Sequence, residues 1–235
     1  NDCYQYLMSW FAEPHKALDD QSDHWYGSFI FPQYIFEHFG GSSTLRKIWE
    51  KSISNDSYYG DFSHRAISLA LSSEGSSFSD ALNKMVIANR IMSSSPNAGL
   101  FSYDEADTYP VSGPATFQTV TYSAGTNQSV TSTNLNRFAS QYTQVNTSDP
   151  VLANLTNNSG PATDLNMHAI IAYADNSWTV YSGNSINVDP TGSSSLYLAV
   201  VSQDTSANNW DYQIDITDGE LAVDNDIVPS FISVR

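Results

Sequence analysis

The spacing of apolar side chains divides the chain into two parts with different secondary structure. Up to about residue 95, apolar residues recur every three or four positions, which predicts amphipathic α-helices separated by Gly- or Pro-containing breaks. From about residue 99, apolar and polar residues alternate, and Gly, Pro and Asn interrupt the chain at short intervals, which predicts β-strands joined by turns. The pattern therefore predicts an α+β protein whose N-terminal part is helical.

Two helices are predicted before residue 40. The first covers about residues 2–12 and ends before Pro14, because the residue preceding a proline is disfavoured in the helical conformation. The second covers about residues 25–39, bends at Pro32 where a backbone hydrogen bond is lost, and ends at the Gly40-Gly41 pair.

Three more helices are predicted between residues 42 and 92. One begins at a cap formed by Ser42 or Ser43 and runs through residue 53, one covers about residues 62–72, and one runs from a cap at Ser77 or Ser79 to Met92. The first of these three is expected to bury Leu45, Ile48 and Trp49.

The second part of the chain is predicted to form an antiparallel β-sandwich, because short strands follow one another at close spacing. The run 196–201 is the most apolar and is expected to be a central strand. The segment 93–99 is a plausible linker, so we divide the chain into a helical subdomain, 1–98, and a sandwich domain, 99–235. The predicted strands cover 117–122, 127–131, 137–144, 151–157, 164–174, 178–182, 185–188, 196–202 and 211–217.

Charge narrows the classes of partner. Residues 1–100 carry 7 Lys and Arg against 11 Asp and Glu, and residues 101–235 carry 2 against 14, so the net charges are −4 and −12. Such an acidic chain lacks the clustered cations that nucleic acid or an anionic membrane requires, so neither is expected as a partner. No apolar run is long enough to span a bilayer. With Cys3 as its one cysteine, the chain has no internal disulfide. The charge suits a secreted protein.

The helical part resembles the C-terminal helical subdomain of gluzincin-type zinc peptidases. The similarity is closest to secreted bacterial metalloprotease-like proteins, in which a Tyr-Gly helix and an Ile-Trp-Glu helix follow the zinc-binding helices and precede a β-sandwich. The residues that carry it are the segment 4–11, Tyr26-Gly27-Ser28-Phe29, Tyr34-Ile35, Phe39-Gly40 and Ile48-Trp49-Glu50.

The resemblance implies a zinc site that this chain lacks. In such families two His of a His-Glu-x-x-His helix and a later Glu hold the metal, and the Glu within the motif activates water. The five histidines here contain no pair spaced four apart. We therefore expect no Zn²⁺ and no peptide hydrolysis from this chain alone; zinc is expected only with an upstream segment of the same precursor.

The resemblance also implies a group that stabilises the oxyanion of the tetrahedral intermediate. Tyr26, next to Gly27, and His24, three residues before that glycine, both fit this role, and the spacing does not choose between them. The structural alternative is that Tyr26 packs under the first helix and that His24 is solvated.

Two acidic clusters and one aromatic set have binding and structural explanations. The loop that contains Asp19, Asp20 and Asp23 fits Ca²⁺ or a negatively charged helix start. The second acidic cluster fits Ca²⁺ or a solvated strand edge, and the aromatic set fits a carbohydrate platform or the sandwich core. The second acidic cluster consists of Asp215, Asp218, Glu220, Asp224 and Asp226. The aromatic set consists of Trp178, Tyr181, Tyr197, Trp210 and Tyr212.

The sequence thus gives two functional hypotheses. The leading one is the C-terminal portion of a secreted zinc-metalloprotease-like protein, which is not catalytically competent alone because the zinc ligands are absent. The alternative is a secreted binding or structural protein that uses the β-sandwich for adhesion, for surface or filament assembly, or for carbohydrate binding. The expected partner is the upstream segment or another extracellular protein.

Overall fold

A layer of helices, a six-stranded sheet and a four-stranded sheet are stacked in that order. The structure is a computed structural model and describes residues 3–54, 62–205, 209–220 and 230–232. It confirms the predicted α+β class, with a helical N-terminal part followed by a β-sandwich. None of the helices in these ranges is long and apolar enough to cross a membrane.

Within the described residues, the helical layer begins with a 3₁₀ turn at Tyr4–Tyr6 and contains six α-helices. Further 3₁₀ segments lie at Ser72–Glu74, Pro96–Phe101 and Ala106–Thr108. The α-helices are α1 (Leu7–Ala12), α2 (Asp23–Gly27), α3 (Ile30–His38), α4 (Gly41–Ser54), α5 (Phe62–Leu71) and α6 (Phe78–Ile91).

The single bent helix predicted over 25–39 is wrong, because two helices, α2 and α3, occupy this segment. Pro32 has no N–H to give to the carbonyl of Ser28, and this carbonyl accepts instead from Phe31 N at 3.0 Å. The Ser28 hydroxyl also donates to the carbonyl of Trp25, at 2.7 Å. Pro32 itself lies in the first turn of α3, where a proline is tolerated.

Helix α4 starts before the predicted cap at Ser42 or Ser43 and presents a different face to the core. It begins at Gly41, so Ser42 and Ser43 lie inside its first turn. Thr44 is fully buried, whereas Trp49 is 74% exposed, which corrects the prediction that Trp49 is buried. Successive helical positions turn by about 100°, so Trp49, five positions after Thr44, lies about 140° around the helix axis from it and points away from the core.

Helix α6 is delimited as its sequence predicts. The Ser77 hydroxyl accepts a hydrogen bond from the backbone N–H of Asp80 at 3.1 Å, which confirms Ser77 as the N-cap. Met92 adopts a left-handed conformation and ends the helix. The buried side of α6 lies against the six-stranded sheet.

The strands of the described residues form two sheets. The six-stranded sheet has the order β1-β3-β8-β5-β6-β10 and the four-stranded sheet the order β2-β9-β4-β7. All neighbouring strands are antiparallel except β1 and β3, which are parallel. The strands are β1 (Thr116–Thr121), β2 (Gln128–Leu135), β3 (Ser140–Asn146), β4 (Val151–Asn157), β5 (Leu165–Tyr173), β6 (Trp178–Ser182), β7 (Ser185–Val188), β8 (Ser193–Ser202), β9 (Trp210–Asp218) and β10 (Ser230–Ile232).

Strand β8 lies between β3 and β5, which confirms the run 196–201 as a central strand. Its side chains alternate between two cores: Leu196 and Leu198 pack between the sheets, and Ala199 and Val201 face the helices. Both faces of the strand are therefore covered, which explains why its apolar residues form a nearly continuous run. In a strand that is buried on one face only, apolar and polar residues alternate.

The helical layer is joined to the sheets by hydrogen bonds as well as by packing. Backbone N–H groups of Ala115, Asn136 and Ser140 donate to the carbonyls of Phe11, His15 and Pro14, at 2.7, 3.0 and 2.9 Å. The segment that leaves α1 is thus held against the sandwich, and the helices and the six-stranded sheet share one apolar core.

Candidate functional site

The Tyr-Gly pair of the sequence lies where α2 crosses α1. Gly27 is buried, and a Cβ added to it would lie 2.5 Å from Cβ of Trp10 and 2.7 Å from the carbonyl oxygen of Tyr6. The glycine is needed here because the two short helices approach more closely than any side chain allows. This contact determines where the neighbouring residues of α2 point.

We expect Gly27→Ala to lower the free energy of unfolding by about 1–3 kcal/mol, because the new methyl group forces α1 and α2 apart. Urea denaturation measures the change. Ser28→Ala, the next residue along, removes one hydroxyl from a half-buried site and is the matched control. Equal stability of the Gly27→Ala protein and the wild type would contradict the close packing of the two helices.

His24 lies in the core, with 1% of its surface exposed. Its ring stacks on the indole of Trp10, with 4.4 Å between ring centroids and 21° between planes. Neither ring nitrogen has a hydrogen-bond partner within the described part of the chain. Burial lowers the pKa of His24 to about 4, so the imidazole is neutral at pH 7. The ring cannot reach a substrate from this position.

Tyr26 has the opposite environment, with 58% of its surface exposed. The ring of Tyr6 stacks on it, with 4.9 Å between centroids and 29° between planes. Trp25, the preceding residue of α2, is 54% exposed. The structural alternative considered for the sequence, a packed Tyr26 and a solvated His24, is thus the reverse of what the structure shows.

Tyr6, Trp25 and Tyr26 form a surface that we call the aromatic ridge. His24 and Gly27 occupy the buried side of α2, so Trp25 and Tyr26 point outward from it, about 100° apart. Among the described residues, every exposed large apolar side chain except Phe117 precedes residue 101, so exposed apolar surface is concentrated in the helical layer. Sequence analysis missed Tyr6 as a member, because its contact with Tyr26 depends on the helix crossing at Gly27.

The first acidic loop does not gather its carboxylates around one point. Asp19 binds the guanidinium of Arg137, with 3.2 Å between Nε and Oδ1 and a second contact from Nη2. Asp20 accepts from the hydroxyl and the N–H of Ser22, and the hydroxyl bond holds the pKa of this carboxyl below its usual range. Asp23 is the first residue of α2. This loop therefore shows capping and ion pairing.

The second acidic cluster lies partly in the sandwich and partly outside the described residues. Asp215 accepts from Ser129 and Gln213, and Asp218 accepts from the Gly125 N–H at 2.7 Å. Both lie on β9, between β2 and β4. Asp215 is paired with both neighbouring strands, so the expectation of a strand edge is wrong for it, whereas Asp218 is paired with β4 alone. Asp224 and Asp226 lie outside the described ranges. Within those ranges no group of three His, Cys, Asp or Glu side chains is placed to hold a metal ion.

The aromatic residues of the sandwich do not form an exposed platform. Trp210 and Tyr212 are buried between the sheets, and Tyr212 donates to the side-chain oxygen of Gln141 at 2.8 Å. Trp178 is half-buried against the helical core. Tyr197 is covered by Arg90, whose guanidinium carbon lies 4.4 Å from the ring centroid. These rings serve packing, as the structural explanation of their spacing predicts.

No protein-family profile, curated protein or solved structure matches this chain.

Proposed function

We propose that this chain is a secreted binding and assembly protein that associates with a second copy of itself through the aromatic ridge. The observation that carries the proposal is the exposure of Trp25 and Tyr26 on one side of a helix whose other side is fixed in the core. This is the binding and structural hypothesis from the sequence, with recognition moved from the sandwich to the helical layer.

The composition and rigidity of the ridge support a protein contact. Tyr and Trp are enriched in the buried centres of protein interfaces and contribute much of their binding energy. The ring of Tyr26 is already held by its stack on Tyr6, so little side-chain freedom remains to be lost on binding. The half-exposed rings supply on the order of 200–300 Å² of apolar area per copy, which fits the centre of a weak interface.

The charge distribution supports a contact between two copies of this chain through their helical layers. Residues 1–100 carry a net charge of −4 and residues 101–235 carry −12. Two copies that meet through their sandwiches bring the strongly acidic parts together, whereas a contact through the helical layers keeps them apart. In a two-fold arrangement the ridge of each copy packs on the ridge of the other.

Sedimentation velocity tests the proposal. We expect the weight-average sedimentation coefficient of the wild type to rise with protein concentration, and to rise further when added NaCl screens the charge of −16. Trp25→Ala and Tyr26→Ala are expected to remove this dependence. Trp49→Ala is the matched control, because it removes an indole that is 74% exposed on α4, a helix that packs on α3 and α5 rather than on α2 within the described residues.

Two results would contradict the proposed assembly. One is a wild type that sediments as a monomer throughout the concentration series, at low and at high salt. The other is a loss of association in Trp49→Ala equal to that in Trp25→Ala, which would indicate nonspecific hydrophobic contact.

A second candidate is the C-terminal portion of a secreted zinc-metalloprotease-like protein. The exposure of Tyr26 favours it, because a phenol that donates to an oxyanion must face a substrate, and the buried His24 does not. Tyr26→Phe separates the candidates. It keeps the ring, so assembly is expected to persist, but it removes the hydroxyl, so peptide hydrolysis by a precursor with a zinc-binding segment is expected to fall.

A further inference from the structure

A serine, a histidine and an asparagine are hydrogen-bonded in series where β5 and β6 face α6. Ser182, the last residue of β6, has its Oγ 2.8 Å from Nδ1 of His168 on β5. Nε2 of His168 lies 2.7 Å from Oδ1 of Asn83 on α6. Residues 83, 168 and 182 are separated in the sequence, and no local sequence motif predicts that their side chains meet.

The pairing of β5 with β6 brings the first two side chains together. His168 and Ser182 are directly opposite each other. The backbone N–H of Gly183 donates to the carbonyl of Met167 at 3.0 Å, which marks His168 and Ser182 as a pair without hydrogen bonds between their own backbones. Side chains are closest in such pairs, so the Oγ to Nδ1 contact follows from the register.

The hydrogen bonds of Asn83 indicate which nitrogen of His168 carries the proton. Asn83 Nδ2 donates to the carbonyl of Ser79 at 2.8 Å, so Oδ1, which only accepts, faces the imidazole. Nε2 of His168 therefore carries the hydrogen and donates it to Asn83. Nδ1 is left with a lone pair and accepts the hydrogen bond from the Ser182 hydroxyl. This arrangement places an unprotonated base next to a hydroxyl group.

The Ser182 hydroxyl is accessible from solvent, and the imidazole beside it is buried and neutral. Ser182 is exposed, whereas His168 is only 4% exposed. Burial lowers the pKa of His168 to about 4, so the ring is neutral at pH 7 and its lone pair is free to accept a proton, but it is a weak base. Gly183 follows with a φ of 150°, and a Cβ there would have Ser185 O, at 3.7 Å, as its nearest neighbour, so the backbone beside the hydroxyl is open.

We infer that Ser182 is a nucleophile for acyl transfer from small activated esters, with His168 as its general base and Asn83 as the residue that positions the imidazole. The Ser182 Oγ bonds to the ester carbonyl carbon while its proton passes to Nδ1 of His168. The bond from this carbon to the leaving oxygen breaks, and the leaving oxygen takes the proton. A water molecule then attacks the acyl-serine and gives one proton to Nδ1; the carboxylic acid leaves and the proton returns to Oγ.

The substrate class follows from the surroundings. Ser182 is exposed and is the last residue of β6, so its hydroxyl is accessible to a small acyl group. Asn83 is neutral and does not stabilise the imidazolium that forms during attack, so only esters with a good leaving group are expected to react at a measurable rate.

Acetylation by 4-nitrophenyl acetate tests the inference within one protein. Ser185 is the internal control, because it is also exposed but donates to Oδ1 of Asn154, at 2.7 Å, and contacts no imidazole. Peptide mass spectrometry is expected to show Ser182 acetylated about 100-fold faster than Ser185, as a positioned base predicts. Ser182→Ala is expected to remove the fast phase of nitrophenolate release. Equal acetylation of the two serines, or an unchanged release by Ser182→Ala, would overturn the inference.

Asn83→Asp tests the positioning role. A carboxylate at this place holds the same tautomer and also stabilises the imidazolium, so the rate of Ser182 acetylation is expected to rise about tenfold or more. Ser185 in the same sample reports any general change in reactivity. A rate at Ser182 that is unchanged or lower, in a variant whose circular dichroism matches the wild type, would show that Asn83 does not act through His168.

Discussion

Replacing Tyr142 by Ala is expected to lower the free energy of unfolding by about 3–5 kcal/mol, as the removal of a large buried ring does. Tyr142 lies on β3, is fully buried, and points into the core that the helices share with the six-stranded sheet. Its hydroxyl donates to the carbonyl of Val86 on α6 at 2.9 Å. The variant therefore loses both packing and a hydrogen bond at the junction of the layers.

Tyr142→Phe divides this loss into its two parts. The phenylalanine ring fills the same space but leaves the Val86 carbonyl without this donor, so we expect a smaller loss of about 1–3 kcal/mol. Urea denaturation of the three proteins gives the values. If Tyr142→Ala were no less stable than Tyr142→Phe, the ring would not be packed at the junction.

The same experiment tests whether the helical layer and the sandwich unfold together. The shared core and the backbone bonds from 115, 136 and 140 to the segment after α1 predict one cooperative transition. Circular dichroism at the wavelength dominated by the helices and NMR signals of residues on the sandwich strands should then give the same midpoint. Two separate midpoints would instead support independent units divided near residue 98, a boundary that remains a prediction.

Much of the sandwich was predictable because local pattern and tertiary structure agree there. The predicted bounds of β4, β6 and β7 match the observed ones, since turns marked by Gly, Pro, Asn or Ser interrupt alternating strands. The parallel pairing of β1 with β3 was not predictable, because strand order depends on contacts between distant segments. The short strand β10 carried no signal of its own.

The helical layer shows where sequence reasoning fails. An apolar repeat identifies an amphipathic helix, but it does not tell which of two adjacent apolar residues faces the core; on α4 this face is centred near Thr44 and excludes Trp49. The aromatic ridge could not be predicted for the same reason, because the exposure of Tyr26 depends on the crossing of α1 and α2. Ser182 and His168 meet only through strand register, so spacing along the chain could not reveal their contact.

Acidification from pH 7 to pH 4 is expected to remove on the order of 3 kcal/mol of stability through His24, and a similar amount through His168. Burial lowers the pKa of each imidazole from 6.5 to about 4 in the folded chain. The unfolded chain therefore binds these protons more readily. The contribution of the two neutral imidazoles to the free energy of unfolding is complete above pH 6.5 and is lost progressively as the pH falls toward 4.

Replacing His24 by Phe isolates its share of this loss. The aromatic ring still stacks on Trp10, but it neither titrates nor buries an unpaired nitrogen. Burial lowers the pKa of His24 and outweighs Asp20, the Ser9 backbone and Glu13, which raise it; Lys16 lowers this pKa further. The stability difference between His24→Phe and the wild type, from urea denaturation at each pH, should therefore grow steadily between pH 6.5 and 4. A difference that stays constant over this range would mean that His24 is not held neutral in the core.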